Sequence, residues 1–306
     1  SIGLLIINNS IVDWYQIGKI AASWVISPVM GGIIAVMLLL SIRKNILKQD
    51  ERGEAAKVWV PIYIGIMVWA FSTYLLLKGF KQILNGSNLA FLLETEIAIF
   101  IGYVLALLTF ISLRIYYKKQ SAIFKNGKKF INKLFNIPLI FAVALLSFAH
   151  GANDVANAIG PLAAVNDALK NHVFSGGSVG IETWIMVTGA IGLVLGLAVF
   201  GARLIQTVGS EITKLNQIRA YCVALAAAIT VIIASGLGLP VSSTHIALGG
   251  IFGIGLIREA IKRQKGKDKH YIKKSMIKNI ILAWLITLPA SGIIASITYL
   301  IIMKLS

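Results

Sequence analysis

One stretch of the chain gathers groups able to do chemistry within otherwise apolar sequence: Ser147-Phe148-Ala149-His150-Gly151-Ala152-Asn153-Asp154-Val155-Ala156-Asn157-Ala158-Ile159-Gly160-Pro161. It follows the apolar run 137–146, which would bring it to about the middle of a bilayer. A charge at that depth costs about 2.5 kcal/mol or more on insertion scales, so an intramembrane Asp154 is a functional-site hypothesis by default. Asn153 and Asn157 are four apart and share a face of any helix that contains them, with Asp154 between. Gly151 predicts a break just before the carboxylate. A break at this depth frees backbone groups, which are tolerated only where they line a polar cavity or are buried in protein. Oxygen ligands for a hard cation and free amides for an anion would then converge on one spot. The plain alternative is a hydrogen-bond network between helices with no ligand, and such a network has no need of an ionisable Asp.

A second polar stretch, Ser235-Gly236-Leu237-Gly238-Leu239-Pro240-Val241-Ser242-Ser243-Thr244-His245, ends the apolar run 221–234 and precedes a short glycine-rich helix over 246–257. Pro240 forbids a continuous ladder. Ser242 or Ser243 is a natural N-cap, and ordinary capping is the plain reading of the motif taken alone. Its hydroxyls and first amides also point outward at the positive end of a half-helix, which suits a tetrahedral oxyanion. His245 stands alone and reads as a structural hydrogen-bonding residue, not a metal ligand.

The elements that must hold these groups are membrane helices. Of 306 residues, 57% are hydrophobic and 13% charged, far from soluble norms. The net charge of +17 lies in the segments between apolar runs, which positive-inside topology explains better than nucleic-acid binding does. The single Cys222 excludes an intramolecular disulfide or a cysteine metal cluster and reads as packing. Spans are expected over 20–40, 59–77, 91–113, 183–204 and 280–302, besides the two motif-bearing segments. Glu94 and Glu96 suit the first turn of the third span by the helix dipole. Gly192 and Gly196 have the GxxxG spacing of close helix packing. Basic segments over 43–57, 114–136 and 258–279 read as cytoplasmic; the second holds seven Lys or Arg among Tyr116, Tyr117 and Phe124 and is expected to lie against anionic lipid.

The first and last spans are copies. Ile20, Trp24, Ile26 and Gly32-Ile-Ile-Ala35 recur at an offset of 260 residues as Ile280, Trp284, Ile286 and Gly292-Ile-Ile-Ala295, while Pro28 and Pro289 slip by one. A basic segment follows the first copy and precedes the second, so with both segments cytoplasmic the copies cross in opposite directions. That is the inverted repeat of secondary transporters. At the same offset, first copies of both polar motifs would fall before Ser1, and the chain is expected to be an N-terminally truncated copy. The organisation expected is 1–42 as the end of a first repeat, 43–113 as connecting helices, 114–136 as a basic cytoplasmic loop, and 137–306 as the second repeat with the substrate motifs.

Gly151-Ala-Asn-Asp-Val-Ala-Asn-Ala158 followed by Gly238-Leu-Pro-Val-Ser-Ser-Thr-His245 resembles the inorganic phosphate transporter (PiT) family of cation-coupled symporters. The resemblance covers nearly the whole chain. It implies an all-α polytopic membrane protein, an inverted-repeat secondary transporter with discontinuous or re-entrant helices and extracellular termini, in the plasma or inner membrane. It implies inorganic phosphate as substrate, Na⁺ or H⁺ as coupling ion, the lipid bilayer as surroundings, no cofactor, no enzymatic activity and no nucleic acid, with a homodimer left open. By motif match, Asn153, Asp154, Ser242, Ser243 and Thr244 are the phosphate residues and Asn153, Asp154 and Asn157 the cation residues, Asp154 and Asn157 holding the metal if it is Na⁺. Ala224 departs from the Glu that many members carry, which sets aside a coupling role for its helix.

Charge balance gives this assignment a physical basis. A phosphate and Asp154 in one low-dielectric cavity repel by several kcal/mol even at an effective dielectric near 20. A cation between them, or a proton on Asp154, removes the repulsion, and symport follows. Sulfate is the alternative anion. An intramembrane lipid phosphatase using His150 or His245 is the alternative class, but it needs a nucleophile and base within hydrogen-bond reach, and no compact motif supplies them.

Overall fold

The computed structural model describes residues 14–80, 84, 87–119, 127–171, 181–207, 215–239, 241–264, 266 and 274–305. Among these, regular structure is helical throughout: α1 (Trp14–Ile42), α2 (Arg52–Tyr74), α3 (Thr95–Lys119), α4 (Lys128–Leu134), α5 (Asn136–Asn171), α6 (Thr183–Thr207), α7 (Gln217–Gly236), α8 (Ser243–Arg263) and α9 (Lys274–Leu305). Short π-helical turns extend α1 over Arg43–Leu47 and α2 over Leu75–Gly79. Among the described residues seven helices are long and apolar enough to cross a membrane. The protein is therefore an all-α, multi-pass membrane protein. The remaining expected span, 280–302, lies inside α9, where Pro289–Thr298 is a shorter apolar stretch.

Two of the basic segments are less loop-like than their charge suggests. Within 43–57, α2 already begins at Arg52, because Lys57 pairs with Glu54 one turn earlier on the same helix and is itself buried. Within 114–136, α3 continues to Lys119, with Lys118 and Lys119 in its last turn, where cations complement the dipole. Residues 128–134 then form the short α4, whose Asn132 bonds Gln217 and accepts from the Ile218 N–H at 3.3 Å. The part of this segment over 120–126, with Phe124, lies outside the described residues, as do 1–13, 172–180, Pro240 and most of 265–273. Glu96 sits in the first turn of α3, as its charge predicts.

The chain divides into two compact units. The first comprises Ser1–Val25, Asn153–Lys214 and Arg258–Ser306. In it α5 packs on α6 through Ile159, Ala163 and Ile185, flanked by Val155 and Met186. Where the two helices meet the connecting segment, Glu182 acts as a clasp: one carboxylate oxygen accepts from Lys170 Nζ at 2.7 Å and Asn166 Nδ2 at 2.9 Å, the other from Trp184 Nε1 at 2.9 Å. The Lys170 bond, then those from Asn166 and Trp184, hold the carboxyl below its ordinary value of 4.5. A carboxyl depressed in the fold stabilises above its unfolded pKa, and that contribution is lost as pH falls through the lower folded value. The clasp is therefore expected to hold at neutral pH and to open only in acid below 4.5. Emission from Trp184, taken as the difference from a Trp184→Phe variant, should change on acidification and lose that change in Glu182→Gln.

The second unit comprises Ile26–Ala152 and Leu215–Ile257. Its centre is α7, whose Tyr221, Leu225, Ala226, Ala227, Ala228 and Val231 are all fully buried. The expectation that Cys222 is a packing residue holds, since it is buried in the same helix. Ala224 is buried too and brings no charge to α7. Around this helix, Tyr74, Ala149, Ala227, Val231, Ala234, Val241 and Ile246 form one core, which brings α5 just before His150 together with both flanks of Ser242–His245.

Close helix packing occurs here, and not where the GxxxG spacing in α6 places it. A Cβ built on Gly192 or Gly196 meets nothing within 4 Å. A Cβ on Gly249 of α8 would stand 2.0 Å from the Pro28 carbonyl oxygen, and one on Gly253 would stand 2.7 Å from the Gly32 carbonyl oxygen. The crossing of α1 and α8 is thus the small-residue contact, with Gly31 and Gly32 facing Ile246, Gly249 and Gly253.

Candidate functional site

The break before α8 is built as its sequence requires. Gly238 has φ +67°, a left-handed conformation that glycine adopts without strain. The Leu239 N–H donates to the Ala234 carbonyl at 2.9 Å and the Gly238 N–H to the Ser235 carbonyl at 3.2 Å, the paired bonds of a Schellman cap. Leu239 and Ala234 also meet in the shared core, which supplies the apolar contact of that motif. The chain then restarts at Ser242, whose Oγ accepts from the His245 N–H at 3.3 Å and whose carbonyl accepts from Ile246 at 3.1 Å. Ser242 is therefore the N-cap, one of the two candidates the sequence offered. Ser243 is buried, Thr244 exposed and Ser242 and His245 half-buried, so a single helical turn turns its hydroxyls in different directions around the positive end of α8.

The break expected at Gly151 does not occur. α5 is continuous from Asn136 to Asn171, about 54 Å at 1.5 Å per residue. A single interior glycine costs a helix only about 1 kcal/mol, and Ala149, Ala152 and Ala158 around it are the best helix formers. The amides of 151–157 are consequently committed to the ladder and are not free to bind an anion. What α5 offers instead is side-chain oxygen. Asn153 is buried, with its Nδ2 at 3.5 Å from Asp154 Oδ1; Asp154 is half-buried, and Asn157, one turn on, is exposed. Pro161 inside the helix adds one more oxygen, since it has no N–H to give the Asn157 carbonyl four residues earlier. A side-chain carboxylate, amide oxygens and a carbonyl without its ladder donor form a hard donor set, the kind that suits a cation such as Na⁺ and not a thiophilic metal.

Asn153, Asp154 and Asn157 belong to the first unit and Ser242, Ser243 and Thr244 to the second. Within each unit the structure brings its own group together on one helix. Sequence reasoning passed over the glycines that set the position of α8 against α1. The signal was visible as three glycines spaced 249, 250 and 253, but nothing local says which helix they approach.

A family profile described as the phosphate transporter family matches residues 1–295. A Helicobacter pylori (strain J99) protein named "Putative phosphate permease" is 45% identical over 277 residues, which cover 90% of this chain and 51% of that protein. A Pyrococcus abyssi protein with the same designation is 33% identical over 300 residues, 98% of this chain and 69% of its own. Among solved structures, one described as "The sodium-dependent phosphate transporter" superposes with a TM-score of 0.79 at 28% identity, covering 96% of this chain and 68% of that one. The chain spans about half the length of the two Helicobacter pylori relatives it matches.

Proposed function

The chain belongs to the phosphate transporter family, and from that premise we propose that it takes part in the symport of inorganic phosphate with a cation across the membrane. The observation that carries this reading is the first turn of α8: a capped helix N-terminus carrying Ser242, Ser243 and Thr244, preceded by a glycine-made break between two apolar helices. A half-helix N-terminus with hydroxyl donors is suited to an anion. On this reading Ser242, Ser243 and Thr244 are assigned to phosphate, as are Asn153 and Asp154, and Asn153, Asp154 and Asn157 supply oxygens to the cation.

Na⁺ is favoured over H⁺ as the coupling ion, because the similar solved structure is described as sodium-dependent and the α5 oxygens form a hard donor set. The names of the family and of its members favour phosphate over sulfate, and transport over hydrolysis of a lipid phosphate. The inverted repeat is part of the same proposal: both copies are helices with an interior proline, Pro28 in α1 and Pro289 in α9.

The test is uptake of radiolabelled phosphate by the full-length gene product in proteoliposomes under an imposed Na⁺ or proton gradient. Uptake that needs one of the gradients and resists excess sulfate is expected. Uptake indifferent to both gradients, or release of phosphate from lipid, would sink the reading. Ser243→Ala should raise the apparent phosphate KM by about 2- to 12-fold, the worth of one lost hydrogen bond, and leave the cation requirement in place.

A further inference from the structure

In the second unit, α4 and the start of α5 form one amphipathic column. The α4 ladder ends at Leu134 because Pro138, in the first turn of α5, has no N–H to offer the Leu134 carbonyl. Phe135 between them keeps φ −84° and ψ 1°, and its carbonyl accepts from the Leu139 N–H at 2.9 Å, so the helical spacing carries across the junction. Ile131 and Phe135 point inward and are fully buried. On the outer side Lys129, Lys133, Ile137, Ile140 and Phe141 follow one another at helical spacing, all exposed. The column changes character once: two cations, then apolar side chains exposed to 66%, 66% and 57%.

The column is held in place from behind. Besides the bonds of Asn132 to α7, Phe135 meets the Tyr221 ring edge-on at 5.4 Å between centroids, and the Tyr221 hydroxyl donates to the Tyr63 carbonyl of α2 at 2.8 Å. No carboxylate neutralises the lysines from their own segment, since the sequence has no Asp or Glu between Glu96 and Asp154. The helices behind bring none to spare: α7 carries Arg219 as its one charged residue, and Glu54, the one carboxylate of α2, pairs with Lys57. Side chains four apart on a helix have Cβ atoms about 5–6 Å apart, so one phosphate fits between the two ammonium groups. The apolar half of the column needs hydrocarbon beside it, while long lysine stems carry their charge to the headgroup level. An anion with an acyl tail satisfies both halves, and inorganic phosphate only the first. A second copy of the chain would set lysines against lysines.

We propose that this face binds an anionic phospholipid, its phosphate between Lys129 and Lys133 and an acyl chain along Ile137, Ile140 and Phe141. The site stands apart from the phosphate residues of α8 and needs none of them. Of the whole basic segment 114–136, it singles out the two lysines that continue into an exposed apolar column.

The test follows the melting temperature of the full-length protein in detergent as phosphatidylglycerol is titrated in, with zwitterionic phosphatidylcholine as the control. Phosphatidylglycerol should raise the melting temperature more than phosphatidylcholine does. The lipid concentration that gives half of this shift should rise about 5-fold in Lys133→Gln and about 30-fold when Lys129→Gln is added, the change that about 1 kcal/mol per basic residue produces. The double variant Lys44→Gln, Lys48→Gln removes the same charge from the end of α1 and should keep the wild-type value. Equal values in the two double variants, or equal stabilisation by the two lipids, would overturn the proposal. Glycerol phosphate matching phosphatidylglycerol would also overturn it, because the apolar half of the column would then be idle. A dimer on size exclusion that the Lys129→Gln, Lys133→Gln variant dissociates, with no lipid effect, would give the face to a second copy instead.

Discussion

Gly249→Ala is expected to prevent α1 and α8 from packing, and to cost the protein most of its folded yield. The added methyl would sit 2.0 Å from the Pro28 carbonyl oxygen, 2.6 Å from its carbon and 2.8 Å from its Cα, all backbone atoms that no rotamer change can remove. Ordinary overpacking costs about 1–3 kcal/mol because side chains and backbone yield a little. Here only separation of the two helices relieves the contact, and the next crossing point, Gly253 against Gly32, is also closer than a Cβ allows, at 2.7 Å. Stability totals only about 5–15 kcal/mol in most proteins, so a loss above that range for one overpacked residue leaves little folded material. The matched control is Gly192→Ala, whose methyl meets nothing within 4 Å and should gain up to about 1 kcal/mol of helix propensity. Size-exclusion profiles and melting temperatures in detergent decide between them. A Gly249→Ala protein that elutes and melts like wild type would show that this crossing is looser than the geometry states.

That pair of glycines also shows which parts of the structure were legible in the sequence. The break before α8 was, because the described elements of it are local: Gly238 for the left-handed turn and Ser242 to cap the next helix. Membrane spans were legible for the same reason, since each is a run of apolar residues of sufficient length. The α1 to α8 crossing was not. It joins residues more than 200 positions apart, and a small-residue pattern of the same kind in α6 faces open space. The continuity of α5 was misread because Gly151 was weighed alone, whereas the alanines around it decide the local balance. Asn153, Asp154 and Asn157 were singled out by residue type and spacing, but the oxygen freed by Pro161 was missed, although the four-residue spacing from Asn157 was there to be read.

Asp154→Asn is the second variant with a large expected effect, and the continuous α5 makes it a cleaner experiment than a broken helix would. The residue sits in the interior of a helix whose backbone ladder runs through it, so the substitution leaves the main-chain bonds in place. Asn and Asp have nearly equal helix propensities, and the two side chains have nearly the same shape. Folding and membrane insertion should therefore be unaffected or slightly favoured, since the variant no longer carries a charge into the bilayer. What is lost is the negative charge that draws the coupling cation. At an effective dielectric near 20, a unit charge about 4 Å from a cation contributes about 4 kcal/mol, and even a quarter of that would weaken cation binding several-fold. Phosphate uptake per folded molecule should fall at least tenfold, while Ser243→Ala shifts phosphate affinity and keeps the ion dependence. The two variants thus differ in kind as well as in degree. Uptake by Asp154→Asn with unchanged Na⁺ and pH dependence would show that the carboxylate is structural, and the coupling role would then have to rest on Asn153, Asn157 and the Asn157 carbonyl alone.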